Sequence, residues 1–406
     1  LKIAVIGGGA SGFFAAIHAA GKGRSVTIFE KSTKLLSKVK ISGGGRCNVT
    51  HRPLEISKLI KNYPRGEKFL KKVFAQFKSE NTIEWFESRG VKLKIEQDGR
   101  MFPTSDDSQS IIDVLLQEAE KLKIQILTSY GIKSISPQSK GFILETEKGN
   151  FEFDSIIIAS GGHPKNEGYQ FMSKLKHTLS DPIPSLFTFN TPGEPIRELM
   201  GIAMPDGLVK LEGTKLSYRG PVLITHWGLS GPAVLKLSAF GAQWLHEHQY
   251  QGKALINWNS EMGEIEYANH LTAYSVNHPN RKVTNHSLFG IPSRLWEYLT
   301  LEAGIDSNQV FNSLSKKQVN KLVQNLFCFP LVIKGKTTFK DEFVTAGGIN
   351  LSEINPDTME SKFHPDLFFA GEVLNLDGIT GGFNFQAAWS TGFLAGRSTN
   401  DQKRLE

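Results

Sequence analysis

The run LKIAVIGGGASG at the front of the chain constrains the fold more than any other stretch. An apolar, β-type segment from Ile3 to Ile6 leads straight into Gly7, Gly9 and Gly12, and a small-residue helical stretch, Phe13 to Ala20, follows. In such a strand–turn–helix the first glycine permits a tight turn, and the second lets backbone approach a pyrophosphate. The third lets the helix pack close to the strand, so that its free amides and positive dipole end face the phosphates. Ala10 and Ser11 belong to the same turn. A second apolar run, Val26 to Phe29, ends at Glu30, eighteen residues after Gly12, where a carboxylate can accept hydrogen bonds from ribose hydroxyls. This pattern predicts a bound dinucleotide, with Lys31 beside the acid.

Length and composition bound the rest. A chain of 406 residues has room for two or three domains. No apolar run approaches the ~20 residues of a membrane span, and no charged-then-apolar leader precedes the first strand. Two cysteines, Cys47 and Cys328, with no CxxC pair, exclude a disulfide framework and a dithiol mechanism and suit a reducing cytoplasm. No His/Cys/Asp cluster has metal-ligand spacing, so no metal is expected. The formal charge of +7 reflects lysines between Lys31 and Lys40 and between Lys58 and Lys78. They read as a solvated basic face that helps hold an anionic cofactor. The alternative is a nucleic-acid surface, but no RRM, KH or zinc-finger signature accompanies it.

Further along, KISGGGRCN follows the second strand, then two amphipathic helices near 66–77 and 80–89, then DGRMFPTSDDSQS leading into a helix at about 108–122. Short alternating runs at 124–127, 131–136, 141–147 and 151–154 precede the strand Ile156 to Ala159, which ends in Ser160–Gly161–Gly162. The order matches an α/β, glutathione-reductase-type FAD-binding Rossmann-like domain. IIIASGG is similar to the hhhATGG signature of those flavoproteins. PDLFFAGEVLNLDGITGGFNFQAAWSTG, from Pro365 to Gly392, is similar to their C-terminal signature. There Gly371 and Glu372 reach the pyrophosphate and ribitol, and glycines 378, 381 and 382 let backbone approach the isoalloxazine. A helix beginning near Asn384 turns its positive end toward the flavin, where reduction places negative charge.

The motifs VIGGGASG, SGGGRCN, DGRMFP, THWGLSGPA, TAGGINLSEINPDTMES and AGEVLNLDGITGGFNFQAAWSTG together resemble the BaiN/YhiN-type flavoprotein family, the aminoacetone-oxidase-like NAD(P)/FAD-dependent oxidoreductases. The resemblance spans nearly the whole chain. It implies FAD held by a two-part domain, residues 1–184 and 340–406, with an inserted middle domain at 185–339 that has a β-barrel part and a helical part. The cofactor set it implies adds Ser42, Gly43, Gly44, Arg46, Asn48, Ile132, Ala159, Phe383 and Asn384 to the residues above. One departure is the loop after the ATGG-like turn, GGHPKNEGYQF at 161–171, which is short for the family.

Within 185–339 the sequence predicts short strand-like runs across 206–224, a helix from Pro232 in THWGLSGPA, a strand at 254–258, helices from about 263 to 327, and strands near 331–334 and 337–343. A second GxGxxG is absent, so NAD(P) is expected only as a transient reductant. His226 is the candidate proton carrier, because histidine is the side chain suited to exchanging a proton at neutral pH, with a hydrogen-bonded structural histidine as the competing reading. Cys47 is the second reactive candidate, with burial as a packing residue as the competing reading. Asp377 and Asn384 are read as shaping the flavin loop, and Cys328 as core. The expected activity is FAD-dependent hydride transfer with a small organic substrate of the amine or enone class; a nucleic-acid-associated, RNA-modifying flavoprotein is the alternative.

Overall fold

Five parallel strands carry the glycine turn, in the order Leu367–Phe369, Ser155–Ile158, Lys2–Ile6, Ser25–Glu30, Gln125–Thr128. The computed structural model describes residues 1–338 and 344–399, and the chain divides into two compact units, Leu1–Ser185 with Lys340–Glu406, and Leu186–Phe339. The central strand of the first unit is buried on both faces, with Ile3, Ala4 and Val5 fully covered. That explains its unbroken apolar run, which a one-sided strand would not need. The chain leaves Lys2–Ile6 toward Ser25–Glu30 on one side and finds Ser155–Ile158 on the other. The order therefore reverses at this strand, and a crevice opens at the carboxyl ends of the two strands.

Two helices start at that crevice. Ala10–Ala19 follows the glycine turn, and Phe383–Ser398 follows the C-terminal glycines. They run parallel and nearly touch. A Cβ on Gly392 would lie 2.7 Å from the Ser11 carbonyl oxygen, and one on Gly396 would lie 2.3 Å from that of Ala15. Aromatic packing seals the seam: Phe14 meets Trp85, Phe77 and Trp389 at centroid distances of 4.7, 5.6 and 5.3 Å. The predicted helices near 66–77, 80–89 and 108–122 are Glu67–Phe74, Ser79–Glu87 and Gln109–Lys121. The runs from 131 to 154 form an antiparallel meander of Ile132–Pro137, Phe142–Thr146 and Gly149–Phe153. A second small sheet joins Thr50–His51, Arg100–Pro103 and Leu93–Ile95.

The second unit is built on a seven-stranded antiparallel sheet, in the order Phe329–Lys334, Gln251–Asn257, Ala203–Leu211, Ser217–Thr225, Gly228–Ser230, Thr188–Asn190, Lys336–Thr337. Its first and last strands are separated in the chain by Gly335 alone. The Gly335 N–H bonds to the Tyr250 carbonyl at 2.8 Å, and its own carbonyl accepts from Asn190 at 3.1 Å. The two edges are thereby drawn together and the sheet curls toward a barrel. Pro232–Phe240 packs on the strands, and Glu264–Asn277, Ser293–Glu302 and Lys316–Phe327 form a helical part around fully buried Trp258 and Trp296. The short runs expected across 206–224 are two nine-residue strands. Pro205, Gly207, Gly220 and Pro221 break the alternation, and the register shifts between Met204 and Gly207. Part of the strand expected at 337–343 lies outside the described residues. Cys328 caps the helix Lys316–Phe327 and is only half-buried rather than core.

Candidate functional site

A cleft of about 730 Å³ opens in the first unit at the reversal point of the parallel sheet. Its phosphate side is the glycine turn. Gly7, at φ +115°, presses against the Ala159 carbonyl, 2.3 Å from where a Cβ would sit, so no side chain fits there. Gly12 is packed the same way against the Gly7 carbonyl, at 1.9 Å. A Cβ on Gly9 would meet nothing within 4 Å. It faces open space in the cleft, with no side chain capping the helix amides. Glu30 is held by two backbone amides, Gly8 N–H to Oε2 at 2.9 Å and Ser32 N–H to Oε1 at 2.8 Å. Two of its lone pairs are occupied, others remain available, and the residue lines the cleft.

The opposite wall comes from distant sequence. Ser160 follows the strand Ser155–Ile158, and its buried hydroxyl has no hydrogen-bond partner among the described residues. Glu372 accepts from Thr345 N–H at 2.8 Å and pairs with Lys38 at 2.7 Å, which fixes its carboxylate at the cleft wall. At the far end Gly381 and Gly382 begin the helix Phe383–Ser398, again with no side-chain cap. Asn384 binds both the N–H and the carbonyl of Gly378, at 2.7 and 2.8 Å, and so braces this loop. Asn48 turns its amide oxygen to Gly382 N–H at 2.8 Å and its nitrogen to the Thr50 carbonyl at 2.9 Å. Asp377, fully buried, carries the loop's other anchor: Arg65 grips it with two donors and Ser185 Oγ donates at 2.6 Å. Burial pushes the Asp377 carboxyl up, and Arg65 offsets part of that rise.

Of the residues expected from sequence, Gly7, Gly9, Ala10, Ser11, Glu30 and Lys31 line the cleft. So do Ser42, Gly43, Asn48, Ala159, Ser160 and Gly161, and from the C-terminal signature Glu372, Gly381, Gly382 and Asn384. Several others lie off that wall. Arg46 turns away to Glu96 at 2.6 Å and stacks over Phe102, and Gly44 and Ile132 are not on the wall. Gly371 is packed beneath it against Ser11, its N–H taken by Thr391 Oγ1 at 2.9 Å. Phe383 is buried, its carbonyl bound by the Tyr63 hydroxyl at 2.7 Å. Cys47 is fully buried in a left-handed turn, and burial pushes its thiol up to about 12, so it is a packing residue rather than a nucleophile.

His226 belongs to the second unit, exposed in the turn after Ser217–Thr225, its carbonyl accepting from Arg197 at 2.7 Å. The short loop at 161–171 folds inward. His163 N–H bonds to the Tyr169 hydroxyl at 3.1 Å, and burial lowers the imidazole pKa to about 4, which keeps the ring neutral. Sequence reading missed Lys38, Arg100, Ile379, Thr380 and Phe385, which also line the cleft. Among the described residues no group of His, Cys, Asp or Glu could hold a metal, and no helix is long and apolar enough to cross a membrane.

These features fit FAD. Two uncapped helix ends in one cleft match an anionic pyrophosphate and an electron-accepting ring, and Gly9 leaves room for the phosphates. Glu30 offers acceptors for ribose, and Ser160 offers a hydroxyl without a partner among the described residues. Changing Glu30 to Ala removes a charged acceptor worth roughly 1.5–3 kcal/mol. FAD affinity is therefore expected to fall roughly ten- to a hundredfold, read by flavin fluorescence on titration. An unchanged affinity would place the ribose elsewhere.

Comparison with known proteins agrees. The chain is 29% identical over 411 residues to the 3-dehydro-bile acid delta(4,6)-reductase of Clostridium scindens, covering 99% of each. It is 28% identical over 410 residues to the ribosomal RNA dihydrouridine synthase of Haemophilus influenzae, covering 98% of each. In fold it is similar to the 3-ketosteroid-delta4-(5alpha)-dehydrogenase of Rhodococcus jostii, with a TM-score of 0.51 at 14% identity, covering 99% of this chain and 97% of that one. The family described as HI0933-like protein Rossmann domain matches residues 1–398. The chain belongs to that family and is an FAD-dependent oxidoreductase.

Proposed function

We propose that the enzyme saturates a carbon–carbon double bond conjugated to a carbonyl group. The observation that carries this reading is what the named activities of two end-to-end relatives have in common. A 4,6-unsaturated 3-keto steroid acid and a uracil ring both present a C=C joined to a C=O, and both named reactions add hydrogen across such a bond. Of the amine and enone classes, the enone is therefore favoured. FAD, when bound, supplies the two electrons and hydride that such a reduction consumes. The chain's own part is to hold the pyrophosphate at the turn from Gly7 to Gly12, the ribose at Glu30 and the ring end at Gly381–Gly382. His226 is proposed to deliver the accompanying proton. The electrons come from a nicotinamide that reacts and departs, in keeping with a single GxGxxG.

A second reading, an RNA-borne uracil as the natural substrate, is favoured by the net charge of +7 and by the dihydrouridine synthase relative. One experiment addresses both. The purified yellow protein is reduced anaerobically with NADH or NADPH, then mixed with a steroid or simple cyclic enone, or with ribosomal RNA. Recovery of the oxidised flavin band by the enone supports a small-molecule reductase. Recovery by RNA alone, weakening as salt rises, supports the second reading. Recovery by neither, with amines instead bleaching the oxidised band, would overturn the proposal. His226→Ala is expected to slow recovery while FAD remains bound.

A further inference from the structure

We propose that Arg100 is the catalytic oxyanion donor of this site: its free Nη1 receives the substrate oxygen that gains negative charge during reduction. The inference rests on the enone reading above and assigns DGRMFP, a motif that the cofactor site leaves without a task.

Arg100 is a cleft residue, reached from neither glycine signature. It opens the strand Arg100–Pro103, which pairs antiparallel with Thr50–His51, His51 lying directly opposite Arg100. Opposite residues in such a pair project to one face. The His51 ring on that face stacks on Phe383, the first residue of the C-terminal helix, with centroids 4.9 Å apart and planes at 17°. The same ribbon is locked to the helix start by backbone. A Cβ on Gly382 would lie 2.4 Å from the Thr50 carbonyl carbon, and Asn48 bridges Gly382 to Thr50. Arg100 is thus fixed to the end of the cleft where the uncapped helix N-terminus lies, not to the Glu30 end.

Its guanidinium is held in a set orientation. Nε donates to Asp98 Oδ2 at 2.6 Å and Nη2 to Glu96 Oε2 at 3.1 Å. Nη1 has no hydrogen-bond partner among the described residues. Arg46, four residues before the strand Thr50–His51, spends its own Nη1 on Glu96 and Asp106 instead. Two arginines therefore share one carboxylate, and of the two it is Arg100 that lines the cleft. A guanidinium stays charged at every working pH and donates in a fixed fork.

Saturating a conjugated double bond adds a hydride at the β-carbon and moves the π electron pair onto the carbonyl oxygen. A proton at the α-carbon then returns that pair to carbon. When bound, a reduced flavin would supply the hydride, and solvent or an acid such as His226 would supply the proton. Between the two additions the oxygen is an enolate, and a preplaced cationic donor stabilises it where a neutral carbonyl gains less. Removing one such donor lowers kcat about 10²–10³-fold in known enzymes.

The test uses FAD-loaded enzyme and 4-chlorophenol, whose phenolate mimics an enolate and gives a long-wavelength charge-transfer band on oxidised flavin. Wild-type protein should bind the phenolate, with apparent affinity rising as pH approaches the phenol's own pKa. Arg100→Lys keeps the charge near Asp98 but loses the free fork nitrogen; it and Arg100→Ala should weaken phenolate binding tenfold or more while retaining FAD. With a turned-over enone, kcat should fall about a hundredfold and KM change little. Equal phenolate binding by wild type and Arg100→Lys overturns the assignment of Arg100 and leaves the enone reading standing. No charge-transfer band in wild type also overturns the assignment, whereas failure of every conjugated carbonyl to reoxidise the flavin overturns the reading beneath it.

Discussion

Replacing Arg65 by alanine is expected to destabilise the FAD-binding unit by about 3–5 kcal/mol, the usual cost of leaving one member of a buried ion pair alone. Asp377 is fully covered and receives Arg65 through two donors and Ser185 through a third. Without the guanidinium its carboxylate keeps one hydroxyl and loses its counter-charge. The loop that Asp377 anchors supplies Leu376, Ile379 and Thr380 to the cleft, so FAD retention should fall with stability. The effect has a sign in pH. Burial already holds the Asp377 carboxyl above its ordinary range, with Arg65 opposing the rise. A folded pKa above the unfolded one means the folded state binds the proton more tightly. Its stabilising contribution is complete below the unfolded carboxyl range and is lost as pH rises through the folded value. Removing Arg65 raises that folded value further. The deficit of Arg65→Ala against wild type should therefore be largest near neutrality and shrink in mild acid, measured by urea unfolding across pH. A deficit independent of pH would mean that the loss is one of packing, not of charge.

Gly12→Ala and Gly9→Ala should separate folding from cofactor binding, although the two glycines stand three residues apart. A methyl on Gly12 would sit 1.9 Å from the Gly7 carbonyl oxygen and 3.0 Å from its carbon, both rigid backbone of the turn. Overpacking of this kind costs about 1–3 kcal/mol, and here the upper part of that range applies because neither neighbour can rotate away. The apoprotein Tm should drop by several degrees, at roughly 2–4 °C per kcal/mol. A methyl on Gly9 meets no protein atom within 4 Å. Apoprotein stability should be unchanged in Gly9→Ala, while FAD binding falls because the methyl occupies the space through which phosphate approaches. Differential scanning of both variants with and without FAD reads the two effects. A fall in apoprotein Tm for Gly9→Ala, or none for Gly12→Ala, would contradict the roles given to them.

What was legible in the sequence was chemistry written locally. The glycine turn, Glu30, and the Gly- and Asn-bearing start of the last helix each carry their signal within a few residues, and all of them line one cleft. Contacts closed over long separations were not legible. Arg65 and Asp377 are 312 residues apart, and nothing near either one announces the other. Arg46 and Arg100 show why residue type alone misleads. Both arginines lie in glycine-bearing motifs and both pair with Glu96, but only Arg100 lines the cleft. Cys47 failed for a related reason: a neighbouring glycine cluster suggests access, yet the turn folds its thiol inward.

The glycine seam between the two crevice helices also sets a length. Gly392 is level with Ser11, so the C-terminal helix begins about eight residues, or roughly 12 Å, beyond the start of its neighbour. A ligand that satisfies both positive helix ends must carry its phosphate and its electron-withdrawing ring that far apart. The five-carbon ribitol of a flavin nucleotide spans such a gap, whereas the ribose of a nicotinamide nucleotide brings ring and phosphate closer together. Tight helix packing thereby works as a gauge matched to the span of a flavin dinucleotide.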